Sequence, residues 1–267
     1  MRLVAWGGDE RMKGLVQAAE RAGWEAVHVG IKSADDPGEA DAVALPWPHS
    51  FKDGKLTGTA INQEDVIGAI RPCRVLLAGS GAEGEVLKKA ERLVRPGEDE
   101  AFLRFNAQLT AEGALLSILR RRQGALLRKM ALITGYGRIG QEMAARLCAM
   151  GMFVVICARN EGQMRMAHSA GAHPVPLAEM AAVCEKADVI VNTVPARVFS
   201  KATLERIRLN TPIIELASAP HGLDLDEAVR IGLEVVVESG LPGRYAPMDA
   251  GAALFACIER AVKEEKK

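Results

Sequence analysis

Three glycines, Gly135, Gly137 and Gly140, follow the apolar run Met130-Ala131-Leu132-Ile133-Thr134 in the spacing G-x-G-x-x-G. A segment of helical periodicity, Gln141 to Met150, comes after them. The chemistry this order suits is dinucleotide binding. A strand delivers the chain to a tight turn at Gly135, Gly137 leaves the backbone bare where a pyrophosphate approaches, and Gly140 lets the next helix lie against the strand. Tyr136, Arg138 and Ile139 complete the turn, and the unpaired N–H groups of a helix start attract phosphate. Met152-Phe153-Val154-Val155-Ile156-Cys157 supplies a second strand at the distance a βαβ unit requires.

The end of that second strand bears on which dinucleotide is bound. An NAD site places Asp or Glu there to hold the ribose 2′-hydroxyl, whereas this chain reads Cys157-Ala158-Arg159-Asn160. No carboxylate opposes a 2′-phosphate, the Arg159 guanidinium can pair with one, and Asn160 can donate a further hydrogen bond. The expected cofactor is therefore NADP. The alternative is a solvated Arg159 beside a ribose held in some other way.

Further candidates lie where other apolar runs end. Thr193, Val194 and Pro195 follow Asp188-Val189-Ile190-Val191-Asn192 and are expected beside the nicotinamide half of the cofactor. His221, in Ala217-Ser218-Ala219-Pro220-His221-Gly222, is one candidate acid or base, although His-Gly after Pro also makes an ordinary turn. Glu215 precedes it inside a strand, where a buried carboxylate needs a partner. Asn106, Thr110 and Glu112 are read at the start of a helix; Thr110 suits an N-cap, substrate contact is equally open, and Glu112 is the second candidate acid or base. Ser80, in Gly79-Ser80-Gly81-Ala82-Glu83-Gly84, offers substrate-facing backbone, and Arg244, in the segment Gly240 to Pro247 read as a loop, could grip a carboxylate with two parallel hydrogen bonds. The histidines His28, His49, His168, His173 and His221 have no metal-ligand spacing, so no metal is expected.

Positioning these groups requires alternating strands and helices. Apolar runs separated by amphipathic helices predict an α/β protein of two lobes: a C-terminal, Rossmann-type, doubly wound parallel sheet and a smaller N-terminal α/β domain. The expected boundaries are 1–105 for the N-terminal, substrate-side domain, 106–127 for a connecting helix, 128–243 for the nucleotide domain and 244–267 for a last helix. That last helix could finish the nucleotide domain or cross back to the first. Pro46-Trp47-Pro48-His49-Ser50 with Asp53-Gly54-Lys55 reads as an irregular loop rather than a hairpin. Ligands bind beyond the carboxyl ends of such strands, so Gly135, Thr193, Ser218 and Gly240 should share one crevice.

Composition removes several function classes. The 267 residues hold 34 basic and 34 acidic side chains, so no net field draws the chain to nucleic acid or an anionic membrane. Five scattered cysteines suit a reducing compartment, and no apolar run approaches a membrane span, so a cytoplasmic protein is expected. Neither a G-x-S-x-G elbow nor a Cys-His pair supports a hydrolase.

Taken together, the motifs around Asn106 to Ala114, Gly135 to Gly140, Cys157 to Arg159, Ile190 to Pro195, Leu216 to Gly222 and Gly240 to Pro247 resemble the family of dipicolinate synthase A subunits. The resemblance spans the chain and is densest from Asn106 onward. It implies NADP-linked oxidation of dihydrodipicolinate, a small dicarboxylate, to pyridine-2,6-dicarboxylate. It also implies an oligomeric assembly, a flavoprotein-like B subunit for partner, and the mother-cell cytoplasm of a sporulating bacterium. Gly135, Gly137 and Gly140 match the family's dinucleotide turn and Arg159 its 2′-phosphate position, with no catalytic acid or base identified. The glycine motif and Asn-Thr-x-Pro also resemble shikimate-type and methylenetetrahydrofolate-type dehydrogenases. A non-catalytic NADP-binding scaffold protein is a third reading.

Overall fold

The computed structural model describes residues 1–122 and 124–264. It divides into two compact units, one made of Met1–Asn106 with the residues from Pro242 onward, the other of Ala107–Leu241.

The first unit contains β1 (Arg2–Trp6), α1 (Glu10–Arg21), β2 (Glu25–Val29), β3 (Ala42–Ala44), β4 (Phe51–Lys52), β5 (Lys55–Leu56), α2 (Gln63–Ala69), β6 (Cys73–Leu77) and β7 (Ala90–Val94). Helix α3 (Glu100–Arg121) begins in this unit and continues into the other. Strands β2-β1-β3-β6-β7 form one parallel sheet, doubly wound about β1 and β3. Side chains alternate across it as the pleat demands. Leu3 and Ala5 join one core cluster with Met12, Leu15, Leu254 and Ile258, while Val4 and Trp6 join another with Val43, Leu45 and Val66.

The segment read as an irregular loop contains a hairpin, β4 pairing antiparallel with β5. Asp53 and Gly54 carry positive φ of 52° and 71°, the conformation at both central residues that closes a two-residue hairpin in the twist of its strands. The Gly79 to Gly84 stretch leads into a 3-10 turn, Gly84–Lys89, and then into β7.

Helix α3 begins at Glu100, ten residues before Thr110, the residue that suited an N-cap. Asp99 caps it, its carboxylate accepting from the Phe102 N–H at 3.0 Å, so the polar run Pro96 to Glu100 is the helix start. Asn106, Thr110 and Glu112 therefore stand within the helix, and the expected capping role of Thr110 does not arise.

The second unit continues with β8 (Met130–Thr134), α4 (Arg138–Ala149), β9 (Phe153–Ala158), α5 (Glu161–Ser169), β10 (His173–Pro176), α6 (Met180–Cys184), β11 (Val189–Asn192), α7 (Lys201–Leu204), β12 (Ile213–Glu215), α8 (Leu225–Arg230) and β13 (Val235–Val237). Its six strands are all parallel in the order β10-β9-β8-β11-β12-β13, the order of a Rossmann-type sheet. Both faces are covered, Ala131 and Ile133 packing with Met143 and Leu147 on one side, Leu132 with Ile190, Leu204 and Ile213 on the other. Fully burying each Leu or Ile contributes about 1.5–3 kcal/mol, which explains why the strands read as unbroken apolar runs.

Two more helices close the chain, α9 (Leu241–Tyr245) and α10 (Pro247–Glu264). The Gly240 to Pro247 segment is thus largely helical rather than a loop, with Arg244 exposed in α9. Helix α10 packs on α1 in the first unit, where Gly14 and Gly251 let the two backbones meet.

Candidate functional site

In a parallel sheet of this order ligands bind beyond the carboxyl ends of the strands at the switch between the first and fourth, here β8 and β11. Gly135 leaves β8 at φ 85°, and a Cβ placed there would lie 2.7 Å from Thr193 Oγ1 and 2.9 Å from Val194 Cγ2. A Cβ on Gly140 would strike the carbonyl oxygen of Gly135, so α4 can start this close only with glycine there. Gly137, the residue before α4, has open space where its Cβ would be. The first and third glycines thus answer to the protein's own packing. The second leaves room for something else, which fits a bound pyrophosphate.

Around this turn the candidates divide. Arg138 is exposed and Ile139 half-buried, while the Tyr136 side chain is buried in the core beside Met143 and Leu147, leaving only its backbone at the turn. Burial pushes the Tyr136 hydroxyl above its ordinary range. Arg159, just past β9, is exposed and has no ion pair or side-chain hydrogen bond among the described residues. Asn160 has a structural task, its side chain accepting from Gln163 N–H at 3.2 Å as the N-cap of α5.

A line of buried polar groups runs across the sheet at the same end. Thr134, Asn192 and Glu215 are register partners on β8, β11 and β12, and all three are fully buried. The Thr134 hydroxyl donates to Asn192 Oδ1 in a short contact. Asn192 Nδ2 faces Glu215 Oε1 and Oε2 at 2.7 and 2.9 Å. The same amide closes on its own turn, Nδ2 lying 3.0 Å from the Val194 carbonyl and Oδ1 accepting from Val194 N–H at 3.2 Å. Thr193 Oγ1 donates to the Thr134 carbonyl at 2.8 Å, and Pro195 is exposed at the end of this turn.

Glu215 then reaches the next loop, accepting from Ala217 N–H at 2.8 Å and Gly222 N–H at 3.0 Å. Burial pushes its carboxyl above the ordinary range, and the Asn192 amide and these two N–H groups oppose that rise. Within the loop, His221 is half-buried at φ 63° with Nδ1 2.9 Å from the Ala217 carbonyl. A carbonyl only accepts, so Nδ1 is the donor here, and Nε2 has no hydrogen-bond partner among the described residues. The roles of Thr134 and Glu215 are not evident from sequence. The available signal is one polar residue at the last position of each of three apolar strands.

Other candidates sit elsewhere. Glu112, within α3, lies 3.2 Å from the Arg146 guanidinium, and Thr110 is buried in the same helix. Ser80, in the first unit, accepts from or donates to His49 Nδ1 in a short contact, and its hydroxyl reaches the Pro48 carbonyl at 3.2 Å. The glycines beside it, Gly79 and Gly81, are required by the carbonyls of Pro48 and Phe51, which a Cβ would strike. Asn106 and Arg244 also belong to the first unit. No group of three or more His, Cys, Asp or Glu side chains among the described residues could hold a metal.

Residues 103–220 match the family model of the D-isomer specific 2-hydroxyacid dehydrogenase NAD binding domain. The A subunit of dipicolinate synthase from Bacillus subtilis (strain 168) is 25% identical over 234 residues, 85% of this chain and 79% of that protein. The crystal structure of the dipicolinate synthase A subunit from Bacillus halodurans superposes with a TM-score of 0.82 at 25% identity, covering 97% of each chain. In sequence and fold this chain is similar to the A subunits of dipicolinate synthase over most of its length. The apo-structure of D-lactate dehydrogenase from Escherichia coli, at 14% identity and a TM-score of 0.69 over 100% of this chain and 97% of that one, shares the fold. Among the described residues no helix is long and apolar enough to cross a membrane.

Proposed function

We propose that the chain is the A subunit of a dipicolinate synthase and catalyses NADP-dependent oxidation of dihydrodipicolinate to pyridine-2,6-dicarboxylate. Similarity to the dipicolinate synthase A subunits supports the substrate. The observation that carries the cofactor is Arg159, exposed and without a partner among the described residues, at the strand end where an NAD enzyme would place a carboxylate. In this reading the open backbone at Gly137, with Gly135, Tyr136, Arg138, Ile139 and Gly140 around it, holds the pyrophosphate. Arg159 holds the 2′-phosphate, and Thr193, Val194 and Pro195 lie along the nicotinamide half.

When bound, the cofactor supplies the hydride acceptor, and the dihydropyridine-type ring gains aromaticity by giving up hydride. The protein is then asked mainly for alignment and for charge opposite two carboxylates. Arg244, Asn106, Thr110 and Ser80 are the proposed substrate contacts, and His221, through Nε2, is the proposed proton acceptor. Glu112 is the weaker candidate because it already neighbours Arg146. A flavoprotein-like B subunit is the proposed partner, in the mother-cell cytoplasm of a sporulating bacterium.

The test is a direct titration of NADP and NAD. NADP should bind more tightly, and Arg159→Ala should weaken NADP by roughly 10- to 150-fold while leaving NAD nearly unchanged, as expected for loss of a charge-assisted hydrogen bond. Equal affinities in the unmodified protein would refute the cofactor assignment. Formation of NADPH from dihydrodipicolinate in the presence of the B subunit tests the reaction, and turnover of shikimate or a folate instead would overturn it.

A further inference from the structure

We infer that Glu215 is a positioning residue for the nicotinamide end of the site, joining the 193–195 turn to the 217–222 loop through one buried carboxylate. The inference rests on the cofactor reading above and adds to it a residue outside the phosphate and ribose contacts.

The geometry is that of a clamp. Glu215 is fully buried, and the groups its two oxygens meet among the described residues are all donors. Oε1 receives Asn192 Nδ2 and Ala217 N–H, while Oε2 receives Asn192 Nδ2 and Gly222 N–H. A carboxylate, which only accepts, meets this set fully; a side chain carrying any donor of its own does not. Through Asn192, whose amide also holds both backbone groups of Val194, the same carboxylate fixes the turn after β11. Through Ala217 and Gly222 it fixes the loop after β12, which carries His221 at a positive φ. Gly222 must lack a side chain for this to work, because its Cβ would fall 2.5 Å from Asn192 Cγ. The strand itself does not call for a carboxylate, since Ile213 and Ile214 fill the rest of β12; the groups that call for it are the Asn192 amide and the two loop N–H groups. What the carboxylate adds is a fixed relation between two loops at the ligand end of the sheet.

Glu215→Gln is the informative substitution because it keeps shape and removes one acceptor. Its single amide oxygen can serve Ala217 or Gly222, and its NH2 then opposes the other N–H, so one loop is released. Gly222→Ala attacks the same clamp from the other side, by displacing Asn192, with the buried charge intact. The experiment uses the full chain with NADPH as probe. Calorimetry measures affinity, dominated by the phosphates, and the emission of bound NADPH reports whether the nicotinamide ring is held.

The unmodified protein should bind NADPH with emission enhanced over free cofactor. Both variants should bind within about threefold of its affinity, a change small on the scale of cofactor binding, while their emission falls toward that of free NADPH. A role in stability alone would lower the melting temperature and leave the ring signal of the bound cofactor unchanged, and that result overturns the inference. So does failure of both variants to fold, which would make the network part of the sheet's core. Failure of the unmodified protein to bind NADPH removes the cofactor reading itself, a distinguishable result that takes this inference with it. An unmodified protein that binds NADPH without enhanced emission overturns the positioning role alone.

Discussion

Arg159 and Arg244 are both exposed arginines, yet their removal should be read by different ligands. Arg159 stands just past β9 in the nucleotide unit, whereas Arg244 lies in the short helix α9 of the first unit. If Arg244 grips a substrate carboxylate with two parallel hydrogen bonds, Arg244→Ala should raise the apparent substrate constant by roughly 10- to 150-fold. NADP affinity should stay within about twofold, a change of a few tenths of a kcal/mol. Lysine at the same position keeps the charge and loses the planar fork, so Arg244→Lys should recover little of the loss. Steady-state kinetics of the two variants beside a cofactor titration decides this. Unchanged substrate dependence in both would remove Arg244 from the site.

At the scale of elements, α1 and α10 show how much can depend on two missing methyl groups. A Cβ on Gly251 would strike the Arg11 carbonyl and lie 2.5 Å from Leu15 N, and one on Gly14 would lie 2.7 Å from Met248 Cα. These are backbone atoms, so no side-chain rotation relieves the overlap. Gly251→Ala, favourable in an isolated helix by about 1 kcal/mol, should here be net destabilising by about 1–3 kcal/mol in urea unfolding. A neutral or stabilising result would show that the two helices can separate without loss. Sequence alone placed a last helix at the end of the chain but left open which sheet α10 covers. That choice is made by distant backbone approach, which no local pattern encodes. The nucleotide turn was legible for the opposite reason: strand, glycines, helix and second strand follow one another within a single βαβ unit. The start of α3 was missed because Thr110 offered a cap as good locally as Asp99, and only the uninterrupted helix from Glu100 decides between them. The Glu215 clamp was illegible since its side-chain links span 58 residues from Thr134 to Asn192 and 23 from Asn192 to Glu215.

For the whole molecule the first unit is discontinuous in the chain and the second is not. The nucleotide unit is one uninterrupted stretch, Ala107–Leu241, whose ends meet where a Cβ on Gly113 would lie 3.1 Å from the Leu241 side chain. An excised 107–241 polypeptide should therefore fold alone and unfold cooperatively in urea. A 1–106 polypeptide should not, until a 242–264 peptide is added to cover the faces of Met12 and Leu15 that pack with Leu254 and Ile258. Circular dichroism melts of the three mixtures check this, and a cooperative transition from 1–106 alone would contradict it.

The return of α10 to the first unit also sets an order in time. On the ribosome β1 and α1 are made first, but the helix that covers them emerges only after all of the Ala107–Leu241 stretch. Much of the first unit's apolar surface must wait, exposed, while the nucleotide unit has everything it needs to fold. The domain encoded first is thus the one completed last, and a chain stalled before α10 would carry a finished nucleotide fold beside an adhesive, unfinished partner.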